Sequence, residues 1–166
     1  GPQTVVEVGN APSGTRVMQL LVPAGLKSGR IGMRTFEYTF EPGTPSSFVV
    51  TARSDTPAVV TAFQQWRKKN ENRSEALETG KLRTIGRQEL SPGDWRTLRF
   101  DFDSPRVTAI SYRIVLKVEP KDSSRDHHSW FDDISLIEWL SPPLDAGEVP
   151  PFVQSKLASH VDIVTP

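Results

Sequence analysis

Trp130-Phe131-Asp132-Asp133-Ile134-Ser135-Leu136-Ile137-Glu138-Trp139 is the run on which the reading of this fold turns. Its aromatic and branched residues mark a β-strand, yet two carboxylates stand side by side in its middle. Adjacent side chains of a strand point to opposite faces, so one of Asp132 and Asp133 faces inward unless the strand bulges. Strict alternation groups Trp130, Asp132, Ile134 and Leu136 against Phe131, Asp133, Ser135, Ile137 and Trp139. Neither group is cleanly apolar, which predicts a β-bulge near the Asp pair. A buried carboxylate must be paired, hydrogen-bonded or bound to a cation. The run is therefore a polar anchor in a core or a cation site.

Working outward, the chain reads as short strands punctuated by turns. Residues 4–8 are β-prone, and Gly9-Asn10-Ala11-Pro12-Ser13-Gly14 turns the chain into a strand over 16–22. Residues 33–40 alternate, with Phe36, Tyr38 and Phe40 on one face. Strands follow over 47–53 and 58–67, the second placing Ala58, Val60, Ala62, Gln64 and Trp66 together and Val59, Thr61, Phe63, Gln65 and Arg67 opposite. Residues 68–80 are polar and charged and read as a long loop. Strands resume over 82–90, over 95–102 with Leu98, Phe100 and Phe102 aligned, and over 109–118 with Tyr112, Ile114, Leu116 and Val118 aligned. A polar loop over 120–128 leads to the Asp-Asp strand. No helical pattern of useful length precedes residue 150. Regular short strands with turn signals predict an all-β sandwich.

Three motifs, in this order, resemble the galactose-binding-like jelly rolls that include many carbohydrate-binding modules. Ser13-Gly14-Thr15-Arg16-Val17-Met18-Gln19-Leu20 is similar to their early strand, and Gly93-Asp94-Trp95-Arg96-Thr97-Leu98-Arg99-Phe100 to the strand before their last hairpin. Trp130-Phe131-Asp132-Asp133-Ile134-Ser135-Leu136 resembles their closing strand. The resemblance spans about residues 5–139. It implies a jelly-roll β-sandwich of antiparallel strands over 3–140, with 141–166 as a linker or extension that docks on the sandwich or leads to another domain. It also implies a non-catalytic module that binds a polysaccharide or oligosaccharide within a larger, exported bacterial protein. Family members often hold a structural calcium ion near the first Asp of the closing motif, here Asp132. Their usual acidic partner lies in an N-terminal Gly-Phe-Glu-like strand that this chain lacks; Glu7 is the nearby carboxylate.

Composition bounds the alternatives. The 166 residues suit one domain, and 24% charged with 36% apolar residues suffices for a core. Twenty Lys and Arg balance twenty Asp and Glu, which argues against a general nucleic-acid or anionic-membrane binder but leaves room for a local patch. The absence of cysteine removes disulfides, thiolate metal sites and thiol nucleophiles, and fits an extracellular or periplasmic setting. No run approaches the roughly 20 apolar residues of a membrane-spanning helix. Gly1-Pro2 resembles the scar of a protease-cleaved tag.

No nucleophile elbow, phosphate-binding glycine loop or His-Glu-x-x-His is present. His127-His128 reads as part of a solvated loop rather than a metal site. A sugar site needs an aromatic platform flanked by amides, carboxylates or Arg. Gln64-Gln65-Trp66-Arg67 supplies those types at one strand end, with Gln64 and Trp66 on a common face and Arg113 as a neighbour. The competing reading packs Trp66 against Val60 and Ala62. Arg67, Lys68, Lys69, Arg73, Lys81, Arg83 and Arg87 form a basic cluster suited to an acidic polysaccharide or to a solvated loop. The rival function is a structural or protein-interaction sandwich. That domain would pack on a catalytic domain or form a homodimer, with Pro142-Pro143 as a stiff hinge.

Overall fold

The computed structural model describes residues 3–35, 43–67, 81–104, 111–139 and 161–164. Among the described residues ten strands form two five-stranded sheets. They are β1 (Gln3–Glu7), β2 (Arg16–Val22), β3 (Gly29–Thr35), β4 (Pro45–Ser54), β5 (Ala58–Arg67), β6 (Arg83–Leu90), β7 (Arg96–Asp103), β8 (Ser111–Pro120), β9 (His127–Glu138) and β10 (Val161–Val164). One sheet has the order β1-β2-β9-β4-β7 and the other β10-β3-β8-β5-β6. Every pairing is antiparallel. Consecutive strands repeatedly cross from one sheet to the other, as in a jelly roll.

The core lies between the sheets and follows the alternation in the sequence. Leu20, Phe48, Val50, Leu98, Phe100 and Phe131 come from the first sheet; Ile31, Ala58, Val60, Tyr112, Ile114 and Leu116 come from the second. Burying a Leu, Ile or Phe side chain is worth about 1.5–3 kcal/mol, so this layer supplies the main drive for folding. At Gly86 the packing is tight: a Cβ there would sit 2.8 Å from Cδ1 of Phe100.

The expected bulge is present. Val49 pairs with Ser135 and Thr51 with Asp132, so Val50 alone faces both Asp133 and Ile134. Asp133 takes up the extra residue at φ 48°. The bulge reverses the phase of β9, which is why Phe131 and Leu136, an odd and an even position, both reach the core. Beyond it, Ile137 and Trp139 cluster with Val49 apart from the main core, and the indole Nε1 donates to Ser47 Oγ at 2.8 Å.

Several expectations change. Strand β9 begins at His127, so the polar loop ends earlier than its composition suggested. Strand β3 covers Gly29–Thr35; Phe36, Tyr38 and Phe40 lie outside the described residues, as do 68–80 and 140–160. From the C-terminal segment, Val161–Val164 adds an edge strand beside β3.

Candidate functional site

The middle strands β5 and β8 decide what each sheet face carries. Tyr112, Ile114, Leu116 and Val118 point into the core, as do Ala58, Val60 and Ala62. The alternate positions therefore form the outer face: Val59, Thr61, Phe63 and Gln65 on β5, and Arg113, Val115, Lys117 and Glu119 on β8. Register places Phe63 beside Val115, Gln65 beside Arg113, Thr61 beside Lys117 and Val59 beside Glu119. The result is a row in which Val115 and Val59 are buried, at 1% and 6% exposure, and Phe63 is half-buried, bordered by hydrogen-bonding groups.

Those polar groups are held in place. Arg113 Nε donates to Gln65 Oε1 across the β5–β8 pair. Lys117 Nζ lies 3.0 Å from Glu119 Oε1. On the neighbouring strand β6, Thr84 stands opposite Phe63 and Arg87 opposite Thr61. A pyranose ring offers apolar C–H faces rimmed by hydroxyls, and a half-buried aromatic with fixed amide and guanidinium donors matches both features.

Of the residues singled out in the sequence, Arg113 lies on this outer face, whereas Gln64 and Trp66 do not. Gln64 and Trp66 share a face as expected, but it is the inner one. Gln64 Oε1 accepts from the Tyr112 hydroxyl at 3.2 Å. Trp66 packs on the edge of the core, with the Arg83 guanidinium carbon 3.9 Å from its ring centre. The partner of Arg113 is thus Gln65, one residue along, because the pleat sends Gln64 to the opposite side. Arg67 ends β5 opposite Ser111, and its side chain lies outside the described residues. The register shift in the β5–β6 pairing between Ala62 and Phe63 divides the basic cluster, turning Arg83 toward Trp66 while Arg87 takes the outer-face phase. Phe63, not singled out in the sequence, is the one aromatic in the outward phase of β5.

The histidine pair is not a solvated loop. His127 is fully buried, with Nδ1 2.6 Å from Thr56 Oγ1 and Nε2 2.6 Å from Ser129 Oγ. Burial pushes its pKa down, against the pull of the Asp55 charge. His128 sits beside Asp55, which accepts from the His128 amide at 2.9 Å and lies 2.8 Å from ring Nδ1. Burial alone would raise the Asp55 pKa; these contacts hold it below the ordinary carboxylate value. The pair therefore ties the β4–β5 turn to the start of β9.

Asp132 is half-buried, and its Oδ2 accepts from the Ser13 amide at 3.1 Å. Burial, then the charge of Asp132, pushes the Asp133 carboxyl up. Calcium takes six to eight oxygens. Among the described residues no group of three or more His, Cys, Asp or Glu converges, so the described side chains do not by themselves build such a site around Asp132. The Asp132 carboxylate ties the turn at Ser13 to the strand beside the bulge.

No protein-family model matches this sequence, and no curated protein does. Solved structures do match. The C-terminal family 22 carbohydrate binding module of Clostridium thermocellum Xyn10B is 17% identical, with a TM-score of 0.52, over 87% of this chain and 86% of that one. TmCBM61 in complex with beta-1,4-galactotriose is 14% identical at a TM-score of 0.51, over 83% of both chains. The N-terminal modules (CBM22-1 and GH10) of Clostridium thermocellum endo-1,4-beta-D-xylanase 10B, complexed with xylohexaose, match at 16% identity and a TM-score of 0.55. That match covers 82% of this chain and 24% of the other. The likeness confirms the jelly-roll β-sandwich of the carbohydrate-binding-module type.

Proposed function

We propose that this chain is a non-catalytic carbohydrate-binding module whose site is the outer face of the β10-β3-β8-β5-β6 sheet. The observation that carries the reading is half-buried Phe63 in the outward phase of β5, two residues from Gln65, which is hydrogen-bonded to Arg113. The fold supports it, since solved structures of this architecture are described by name as carbohydrate-binding modules, one bound to a galactotriose.

A protein-interaction domain is the weaker reading. Among the described residues Leu26, 53% exposed, is the one large hydrophobic residue left open, so beyond half-buried Phe63 the described residues present no broad apolar patch for a partner. The setting that fits is an exported bacterial polypeptide with further domains, as in the xylanase match. In the described residues no helix is long and apolar enough to cross a membrane.

The test is affinity electrophoresis on a panel of neutral and acidic polysaccharides. Phe63→Ala and Gln65→Ala are expected to weaken retention by about tenfold, the equivalent of about 1.4 kcal/mol. Retention by no polymer, from a folded protein, would overturn the proposal.

A further inference from the structure

The outer face of the β1-β2-β9-β4-β7 sheet carries a second cluster of aromatic, amide and guanidinium groups. On β9, Ser129 and Phe131 are buried inward, so His128 and Trp130 take the outer phase. On β2, Met18 and Leu20 enter the core and Gln19 faces out. On β4, Ala52 and Ser54 are buried and Arg53 faces out. Register then sets Gln19, Trp130 and Arg53 in one row across three strands. The next row places Asp132 opposite Thr51, and Thr51 opposite exposed Thr97.

Trp130 is fixed in place yet only half-buried. Its Nε1 donates to Gln19 Oε1 at 2.9 Å, which sets the plane of the indole. The His128 ring lies 5.9 Å away and nearly parallel, at 18°, and is itself held by Asp55. The Arg53 guanidinium carbon is 5.4 Å from the centre of the Trp130 ring. A ring locked in advance loses little freedom when a ligand settles on it.

The same sheet holds another Arg-over-Trp pair, and the contrast is informative. Arg99 stands 5.3 Å from the Trp139 ring, and both residues are buried. Arg99 Nε has Asp101 at 2.8 Å, and the Trp139 indole donates to Ser47. That pair is a completed packing unit. Arg53 differs: among the described residues no carboxylate pairs with it, and its Nε is buried without an acceptor. The nearby acids are engaged, Asp55 by His128 and one oxygen of Asp132 by the Ser13 amide. Trp95 Nε1 is also buried without an acceptor. Ala52 is opposite Arg96, so the next step along both strands brings the position of Trp95 beside that of Arg53. Buried donors without acceptors are rare and costly. Two at adjacent positions call for an oxygen-bearing ligand.

We infer that Trp130 and Arg53 form a second sugar-binding site, so that the module holds two polysaccharide chains, one on each outer face. This deepens the proposed carbohydrate-binding function and rests on it. A pyranose meets both needs of the site. Its C–H face covers the indole, and its hydroxyl oxygens accept from Arg53 while their protons go to Thr51 and the other oxygen of Asp132. Arg53 is half-buried and held by the ring contact, so a turn of its side chain presents Nε to the sugar. The sheets of a sandwich lie about 10 Å apart with their outer faces turned away from each other. One sugar chain on Phe63 therefore does not reach Trp130, and the two sites bridge separate chains. Holding two chains strengthens retention on a dense polymer through effective concentration. A protein partner is the poorer match, since the described residues of this face leave no large apolar side chain exposed.

The experiment follows the four indole Nε1–H signals by NMR in the Phe63→Ala variant, with Trp130→Phe used to assign one of them. The probes are xylohexaose, cellohexaose, beta-1,4-galactotriose and trigalacturonate. At least one is expected to shift the Trp130 signal saturably while those of Trp66 and Trp139 stay in place. Adding Arg53→Gln should weaken that binding about fivefold or more. The parent protein should also cross-link the corresponding soluble polymer, seen as light scattering that rises and then falls with increasing protein. Phe63→Ala and Arg53→Gln should each abolish the rise. Sugar binding by the parent at one equivalent per chain, with Trp130 unmoved in Phe63→Ala, would overturn the inference and leave the carbohydrate-binding reading standing. Self-association without sugar that Arg53→Gln abolishes would overturn it in favour of a second copy of the chain. A folded parent that binds none of the probes or polymers would remove both.

Discussion

The Arg83 guanidinium carbon lies 3.9 Å from the centre of the Trp66 ring, closing the indole between a cation and the edge of the core. This contact defines Trp66 as a packing residue at the open end of the sandwich. Trp66→Ala is expected to cost about 2–3 kcal/mol of stability, less than a fully buried Trp because the ring is only half-buried. Arg83→Ala should cost about 1 kcal/mol, and the double variant should show a coupling of about 0.5–1 kcal/mol in urea unfolding. Polysaccharide affinity measured on folded Trp66→Ala should stay within about twofold of the parent, or within about 0.4 kcal/mol. A loss comparable to that of Phe63→Ala would move the site to the inner edge.

The buried His127 makes stability depend on acid. Its folded pKa lies below the unfolded value near 6.5, because burial disfavours the charged ring. Above the unfolded value neither state binds the proton and the full stability is present. As pH falls through that value and toward the folded one, the unfolded chain takes up a proton that the folded chain refuses, and stability drops. Asp55 adds a second loss at lower pH. Its folded pKa is below 3.8, so the stabilisation is present above that value and disappears as pH falls through the folded one. Urea midpoints measured across this range should fall in two stages, and His127→Gln should flatten the first. An unchanged midpoint between about pH 7 and 5 would contradict this account of the buried ring.

The bulge yields opposite effects at adjacent residues. Asp133 has φ 48°, a conformation glycine adopts without strain, and its carboxyl is crowded by Asp132. Asp133→Gly should therefore raise stability by about 0.5 kcal/mol, whereas Asp133→Val should lower it by about 1–2 kcal/mol. Asp132→Ala removes the acceptor of the Ser13 amide and should cost about 1 kcal/mol. That cost is expected to be the same in EDTA and in millimolar calcium. A calcium-dependent rise in melting temperature that Asp132→Ala abolishes would instead assign this carboxylate to a cation.

Much of the fold was legible in the chain because period-two alternation is a local property. The rows of Leu98 with Phe100 and of Tyr112 with Ile114, Leu116 and Val118 pointed inward as their spacing required. The clash of parities around Asp132 and Asp133 announced the bulge, since no regular strand buries both Phe131 and Leu136. The faces of β5 were also separable by eye.

Which of those two faces met the other sheet was not local. Both carry apolar residues, and the inner one ends in Gln64 and Trp66 only because β5 lies between β8 and β6 with Val60 and Ala62 turned to the core. His127 looked solvated among polar neighbours, yet packing buries it against Thr56 from a distant turn. The row of Gln19, Trp130 and Arg53 belongs to the pairing of β9 with β2 and β4, strands far apart in the chain. The sequence alone determined most of the strands, the inward rows of β7 and β8 and the bulge, because these follow from neighbours along one backbone. Only the tertiary structure decided which face of β5 turns inward and which side chains of different strands become neighbours, because that depends on the register and partner of each strand.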